Sequence, residues 1–80
     1  MKARVFVRLK PGILDVQGAS VQRALVGLGF PEVEALRVGK LLELELAATS
    51  AEAARRRIEE MCSKLLANPV IEDFTVEMVG

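Results

Sequence analysis

Apolar residues recur with two different periods along the chain, and the changes between these periods predict the order of strands and helices. Apolar and polar residues alternate over 3–9, 33–46 and 70–79, which is typical of strands with one buried face. Apolar residues recur every three to four positions over 15–28 and 50–66, which is typical of amphipathic helices. The pattern therefore predicts the order β-α-β-β-α-β.

The stretch V-E-A-L-R-V-G-K-L-L-E-L-E-L, from Val33 to Leu46, holds the second and third predicted strands. Two alternating runs meet at Gly39-Lys40, and a two-residue loop that begins with glycine is typical of a tight hairpin. Glycine can take the positive φ that the first central position of a II′ turn requires. The sequence therefore predicts a hairpin turn at Gly39-Lys40, in the middle of the chain.

Each helical segment has a predicted start, apolar stripe and end. Asp15 is predicted to cap the first helix, and Gly29 to lie just after its end. The second helix is predicted to begin with a capping box at Thr49 and Glu52 and to end before Pro69. The predicted apolar stripes are Val21, Ala24, Leu25 and Leu28 in the first helix and Ala54, Ile58, Met61, Cys62 and Leu65 in the second.

Burying both helical stripes on one side of the sheet predicts an α+β domain of the ferredoxin-like class over residues 1–80. This arrangement has a four-stranded antiparallel sheet with two helices on one face. The first and third predicted strands would then lie side by side in the centre of the sheet. Arg4 and Arg8 would face Glu43 and Glu45 across the open face, and these opposite charges favour the pairing.

Composition restricts the classes of function. Eighty residues with 51% hydrophobic and 28% charged side chains indicate one small globular domain. Eleven basic and eleven acidic residues cancel, so no net charge attracts nucleic acid or an anionic membrane. No apolar run has the length of a membrane span, and the opening M-K-A-R-V-F-V lacks the apolar core of a signal peptide. We therefore expect a cytoplasmic protein, and its small aliphatic core favours association with other chains.

No set of residues with catalytic spacing appears in the sequence. Cys62 is the only cysteine and lies on an apolar stripe, and the chain has no histidine to activate a thiol or to bind a metal. Neither Lys10-Pro11-Gly12 nor Val38-Gly39-Lys40 has the spacing of a phosphate-binding loop. Phe6, between Arg4 and Arg8, resembles half of an RNA-stacking surface, but the strand predicted to lie beside it offers glutamates in place of aromatic residues. We predict no catalytic, cofactor-binding or metal-binding residues, and we expect Arg4, Phe6 and Arg8 to lie at a sheet-to-sheet or subunit contact.

Several motifs, in order along nearly the whole chain, match a known family. They are L-K-P-G-I-L-D-V-Q-G (Leu9–Gly18), R-A-L (Arg23–Leu25), L-G-F (Leu28–Phe30), R-V-G-K (Arg37–Lys40), E-L-E-L (Glu43–Leu46) and C-S-K-L-L-A-N-P-V-I-E-D-F (Cys62–Phe74). Together they resemble the PurS family, the small subunit of phosphoribosylformylglycinamidine synthase. Val16 departs from the family pattern, in which we would expect proline after the aspartate.

The resemblance implies a non-catalytic subunit of purine biosynthesis. The complex converts formylglycinamide ribonucleotide, ATP and glutamine into formylglycinamidine ribonucleotide, ADP, phosphate and glutamate, through a glutaminase subunit (PurQ) and a synthetase subunit (PurL) that would use the ATP and Mg²⁺. PurS-like chains are expected to form homodimers, or larger assemblies of dimers, and to bridge these two subunits. The predicted interface residues are Arg37, Gly39, Lys40, Asn68, Pro69, Glu72 and Asp73.

Two other functions remain open on the sequence alone. A ferredoxin-like fold also serves stand-alone dimeric modules that bind a small metabolite, so the fold by itself does not decide between these functions. RNA binding is the other, and it would appear as strongly salt-dependent binding to polyanions.

Overall fold

A computed structural model of the chain describes residues 1–79. The elements are β1 (Lys2–Leu9), α1 (Val16–Gly27), β2 (Gly39–Glu45), α2 (Ala51–Met61), a π-helical turn (Cys62–Leu66) and β3 (Glu72–Val79). The strands form a three-stranded antiparallel sheet in the order β2-β1-β3. The α+β class is confirmed, and β1 pairs with the strand predicted to lie beside it.

The hydrophobic core lies between one face of the sheet and α2. Val5 and Val7 are at most 1% exposed and point toward α2, where Ile58 and Cys62 are fully buried. Their neighbours across β2 and β3 lie on the same face, because residues directly opposite in an antiparallel pair share a face. The partly buried apolar residues around this core are Leu42, Leu44, Leu46, Met61, Leu66, Phe74 and Met78.

The second predicted strand, over 33–38, and the hairpin turn at Gly39-Lys40 are wrong. Gly39 is the first residue of β2 and pairs with Arg8 of β1, so the ladder already runs where the turn was expected. Positive φ angles occur only at Gly12 and Gly29 among the described residues. A Cβ at Gly39 would lie 2.8 Å from the carbonyl oxygen of Val7, so glycine is needed here for a close strand contact rather than for a turn.

The segment before β2 instead returns along α1. The side-chain amide of Gln22 donates to the carbonyl of Val33 at 2.7 Å, and Gly18 is buried where its backbone approaches the carbonyl of Leu36. The alternation over 33–38 comes from an extended segment that has one side against a helix. Such a segment has the same period of two as a strand in a sheet. We call α1 and this return segment, residues 13–38, the arm.

The arm does not cover the sheet, which corrects the prediction that both helices lie on one face. Gly18 is the only buried residue of α1, and the core among the described residues contains none of its side chains. The molecule is correspondingly long, with extents of 50 × 27 × 14 Å.

The predicted helix ends are mostly confirmed. Asp15 caps α1, and Gly29 has φ of 103° just after it. The cap of α2 is Ser50, whose hydroxyl accepts the N–H of Ala53 at 3.1 Å, so the capping box predicted one residue earlier is not formed. Leu65, the last residue of the predicted apolar stripe, is 83% exposed. It lies in the π-helical turn, whose wider winding rotates it away from the face that the α-helical spacing predicts.

The charge match across the open face is confirmed only in part. Arg4 lies opposite Glu43, as predicted, but its guanidinium pairs at 3.0 Å with Glu77 on β3. Arg8 lies opposite Gly39 rather than a glutamate, and Lys2 is the residue opposite Glu45. Because the partner strand runs in the opposite direction, the pairing of Arg4 with Glu43 places Arg8 opposite Gly39, six residues away from Glu45.

Candidate functional site

The two groups of predicted interface residues lie on either side of the end of β1. Arg8 pairs with Gly39 of β2 on one side and with Asp73 of β3 on the other. Residues that are far apart in the sequence are brought together because β1 is the central strand. We call this region the exit surface, and it consists of Arg8, Leu9, Lys10, Arg37, Gly39, Lys40, Glu72 and Asp73.

Arg37 ties the end of the arm to the end of β1. One nitrogen of its guanidinium donates to the carbonyl of Leu9 at 3.3 Å and to the carbonyl of Lys10 at 3.2 Å. The side chain is exposed, so it also presents positive charge. This predicted interface residue therefore has a structural role within the chain that its sequence motif did not indicate.

The carboxylate of Asp15 holds the same segment from the α1 side. One oxygen accepts the N–H of Gly18 at 2.8 Å, and the other accepts the N–H of Val38 at 2.7 Å. These hydrogen bonds, Gly18 first and then Val38, lower the pKa of Asp15, burial opposes them, and Arg37 lowers it slightly further. A single carboxylate thus caps α1 and fixes the residue that precedes β2.

This geometry predicts that the arm loosens in acid. Because the pKa of Asp15 is lower in the folded chain than its ordinary 3.8, its stabilising effect is complete above that value and is lost as the pH falls through the folded-state pKa. We expect the Gly18 and Val38 amides to exchange roughly tenfold faster at the acid end, after correction for intrinsic rates, in hydrogen exchange followed by NMR. Asp15→Asn should show fast exchange of the Val38 amide at neutral pH with little further change in acid. An unchanged, pH-independent protection in the wild-type chain would contradict the assignment.

A closed turn over 68–72 adjoins the exit surface on the β3 side. The side-chain oxygen of Asn68 accepts the N–H of Val70 at 3.0 Å, and the carboxylate of Glu72 accepts the N–H of Asn68 at 2.7 Å. The N–H of Glu72 donates back to the Asn68 carbonyl at 2.7 Å. Pro69 is exposed within this turn. The predicted residues here fix a rigid corner, and most of their polar groups are used inside it.

Arg8 and Lys40 are the exposed cations of the exit surface that make no hydrogen bond or ion pair elsewhere in residues 1–79. Asp73, which lies opposite Arg8 on β3, is instead paired with Lys10, with 3.3 Å between the ammonium and a carboxylate oxygen. Two free positive charges at the end of a sheet can bind an acidic group on a partner.

An open depression of about 420 Å³ lies beside these cations. Phe6 and Leu41 lie opposite each other in its floor on the face away from α2, and Leu41 is 50% exposed. Arg8, Arg37 and Lys40 line the same depression. The sequence predicted that Phe6 and Arg8 lie at a contact surface, but it did not connect them with residues 37–40. The connection comes from the pairing of Arg8 with Gly39, which only the structure shows.

The remaining chemistry-bearing groups form no site. Burial raises the pKa of the Cys62 thiol, with a smaller contribution from Glu59, and the side chain is fully buried. Within residues 1–79 there is no cluster of acidic, cysteine or histidine residues suited to a metal ion. No helix in that range is long and apolar enough to span a bilayer.

Comparison with known proteins decides the family. The profile of PurS, phosphoribosylformylglycinamidine (FGAM) synthase, matches residues 2–80. The chain belongs to the PurS family. It is 43% identical over 77 residues to FGAM synthase subunit PurS of Bacillus subtilis, an alignment that covers 96% of this chain and 90% of that protein. The corresponding subunit of Methanocaldococcus jannaschii is 40% identical over 77 residues, covering 96% and 93%.

Solved PurS structures share the fold. The C2 crystal form of B. subtilis PurS superposes with a TM-score of 0.86 at 45% identity and covers 95% of this chain and 94% of that one. A chain in the structure of PurLQS from Thermotoga maritima superposes with a TM-score of 0.89 at 31% identity and covers 98% and 95%. The PurS family is therefore represented in an assembly whose description includes L, Q and S subunits.

Proposed function

We propose that this chain is the non-catalytic small subunit of a cytoplasmic FGAM synthase in de novo purine biosynthesis. It bridges a glutaminase subunit and an ATP-dependent synthetase subunit, so that ammonia released from glutamine converts formylglycinamide ribonucleotide to formylglycinamidine ribonucleotide. The observation that carries this proposal is the match of nearly the whole chain to PurS, including the PurS-like chain of the T. maritima PurLQS structure.

The contribution of the chain is positional. Ammonia that escapes into water is diluted or protonated, so the two active sites need a fixed relative geometry. The exit surface suits docking because the Asp15 and Arg37 contacts and the closed turn at Asn68 hold its shape before binding. A preorganised surface loses less conformational entropy when it binds. We place the contact with an acidic partner segment at Arg8 and Lys40, beside the Phe6–Leu41 floor.

ATP and Mg²⁺ belong to the synthetase subunit in this proposal, and this chain holds neither a cofactor nor nucleic acid. Its formal net charge of zero supports the latter point, because the dominant attraction of proteins to nucleic acid is electrostatic. The chain acts as a homodimer or as an assembly of such dimers.

The test is reconstitution with the cognate synthetase and glutaminase. Sedimentation velocity with ADP and glutamine present is expected to show one complex that contains all three chains. Glutamine-dependent FGAM synthesis should fall at least about a hundredfold when this chain is left out, while the glutaminase and the synthetase remain folded. Synthesis supported by ammonium salts is the control, because it does not need transfer between subunits and should fall much less.

Activity that does not depend on the chain, together with a chain that stays apart from both subunits, would contradict the proposal. The metabolite-binding alternative has its own readout. A rise in melting temperature with an amino acid or a nucleotide, in the absence of both protein partners, would favour that function.

A further inference from the structure

The open face of the sheet, on the side away from α2, carries a small apolar area between charged residues. Phe6 of β1 and Leu41 of β2 lie directly opposite each other, and Leu41 is 50% exposed. On the other side of Phe6 lies Thr75 of β3, which is also exposed. We call the pair of Phe6 and Leu41 the apolar floor. The next residues on this face, in both directions along β1, are charged.

Towards the start of β1, one carboxylate beside the floor has no ion pair within residues 1–79. Arg4 pairs with Glu77 at 3.0 Å, and Lys2 lies 4.0 Å from Glu45. Glu43 faces Arg4 across the ladder, but the guanidinium of Arg4 is engaged on β3 instead. Glu43 is exposed. One end of the floor is therefore bordered by a free negative charge.

Towards the end of β1, the border of the floor is positive. Asp73 faces Arg8 across the ladder, but its carboxylate is paired with Lys10 at 3.3 Å. Arg37 and Lys40 line the same depression as Arg8 and the floor. Several exposed cations at this end are thus set against a single free carboxylate at the other end.

We propose that the open face binds an extended segment of a partner subunit in which an acidic, a bulky apolar and a basic residue occupy alternate positions. This inference deepens the proposed function and rests on it. Alternate residues of an extended segment point to the same side and lie about 7 Å apart. Phe6 and Arg8 have the same spacing along β1, as Leu41 and Glu43 have along β2. The acidic end of the segment binds Arg8, the apolar side chain covers the floor, and the basic side chain binds Glu43.

The surplus of positive charge favours such a segment over a second copy of the same face. Two open faces related by a two-fold axis would bring Arg8 and Arg37 of each copy against the single free Glu43 of the other. Positive charge would then stay uncompensated inside a contact from which water is excluded, which is costly. A partner segment with several carboxylates at its acidic end can neutralise both arginines.

Charge reversals test the polarity of the segment. Glu43→Lys is expected to weaken binding to the partner subunits about tenfold, because it would repel the basic residue of the segment. Glu34→Lys is the matched control, since it makes the same change of charge on an exposed residue of the arm and should bind like the wild-type chain. The double variant with Arg8→Glu and Glu43→Lys keeps the formal net charge of zero. It should bind at least about a hundredfold more weakly than the wild-type chain, because both ends of the segment would be repelled.

Photo-cross-linking identifies the occupant in the reconstituted complex. A benzophenone maleimide is attached to Thr75→Cys, which flanks the floor without belonging to it, and the buried Cys62 does not react. We expect cross-links to a partner segment that has an acidic and a basic residue within about four positions of each other. Cross-links only to a second copy of this chain, or none to either partner subunit, would overturn the proposal. So would equal affinities of the Glu43→Lys and Glu34→Lys chains.

Failure of this inference can be told apart from failure of the scaffold role. A complex of all three chains that forms equally well with every charge variant would leave the scaffold role standing and would refute only the docking on the open face. A wild-type chain that forms no complex with either subunit would instead refute the scaffold role itself.

Discussion

Replacing Ile58 by alanine is expected to lower the free energy of unfolding by about 2–5 kcal/mol. Ile58 is fully buried in α2 against Val5 and Val7 of the central strand. The substitution removes apolar contacts and leaves a cavity in a core with few large side chains. A protein of this size has a total stability of only about 4–12 kcal/mol, so the variant should be partly unfolded at 37 °C. Thermal and urea unfolding followed by circular dichroism measures the loss.

Two variants bracket this result. Ile58→Val should cost only about 0.5–1.5 kcal/mol, because it removes one methyl group from the same position. Val70→Ala, at a side chain that is 79% exposed, should change stability by less than about 0.5 kcal/mol. An Ile58→Ala chain as stable as the Val70→Ala chain would show that α2 does not pack on the sheet as described.

Reversing the charge of Lys40 is expected to weaken binding to the partner subunits at least about tenfold, and Arg8→Glu should have a similar effect. Both cations are exposed at the exit surface without a partner in residues 1–79. A glutamate at either position would repel the acidic group proposed to dock there, and like charges in a contact are strongly unfavourable. Titration of the chain into the synthetase, by calorimetry or sedimentation, gives the affinity. The isolated Lys40→Glu chain should keep the wild-type melting temperature, whereas Arg8→Glu faces Asp73 across the ladder and should lower it slightly.

Lys40 is a sharper test than Arg37, since loss of Arg37 would also free the arm from the Leu9 and Lys10 carbonyls. Arg23→Glu is the matched control. It makes the same change of charge on an exposed residue of the arm, away from the exit surface. Equal affinities for the Lys40→Glu, Arg23→Glu and wild-type chains would remove the exit surface from the interface.

Local chemistry explains which sequence predictions were confirmed. Asp15 caps α1 and Gly29 follows its end because each depends on backbone groups a few residues away. The buried faces of β1 and β3 follow from a strict alternation. The interface residues stay a prediction, and the structure adds only that Gly39 and Asp73 lie on either side of Arg8 in the sheet.

The predictions that failed depend on distant contacts. Alternation over 33–38 fits a strand, but Val38 gives its N–H to Asp15, and Gly39 already pairs with Arg8. The π-helical turn at Cys62–Leu66 has no residue signature, and it turns Leu65 to solvent. In both segments the local pattern of apolar residues fits two different structures, and contacts with distant residues decide between them.

The sequence by itself determined the family, the α+β class and the buried faces of β1 and β3. Periodicity and capping act over a few residues, and the family motifs run along nearly the whole chain. Only the tertiary structure decided that the sheet has three strands and that α1 stands away from it. It also decided that Arg8 and Lys40 are the cations of the exit surface without a partner in residues 1–79. Those features depend on which groups, far apart in the sequence, compete for the same backbone partners.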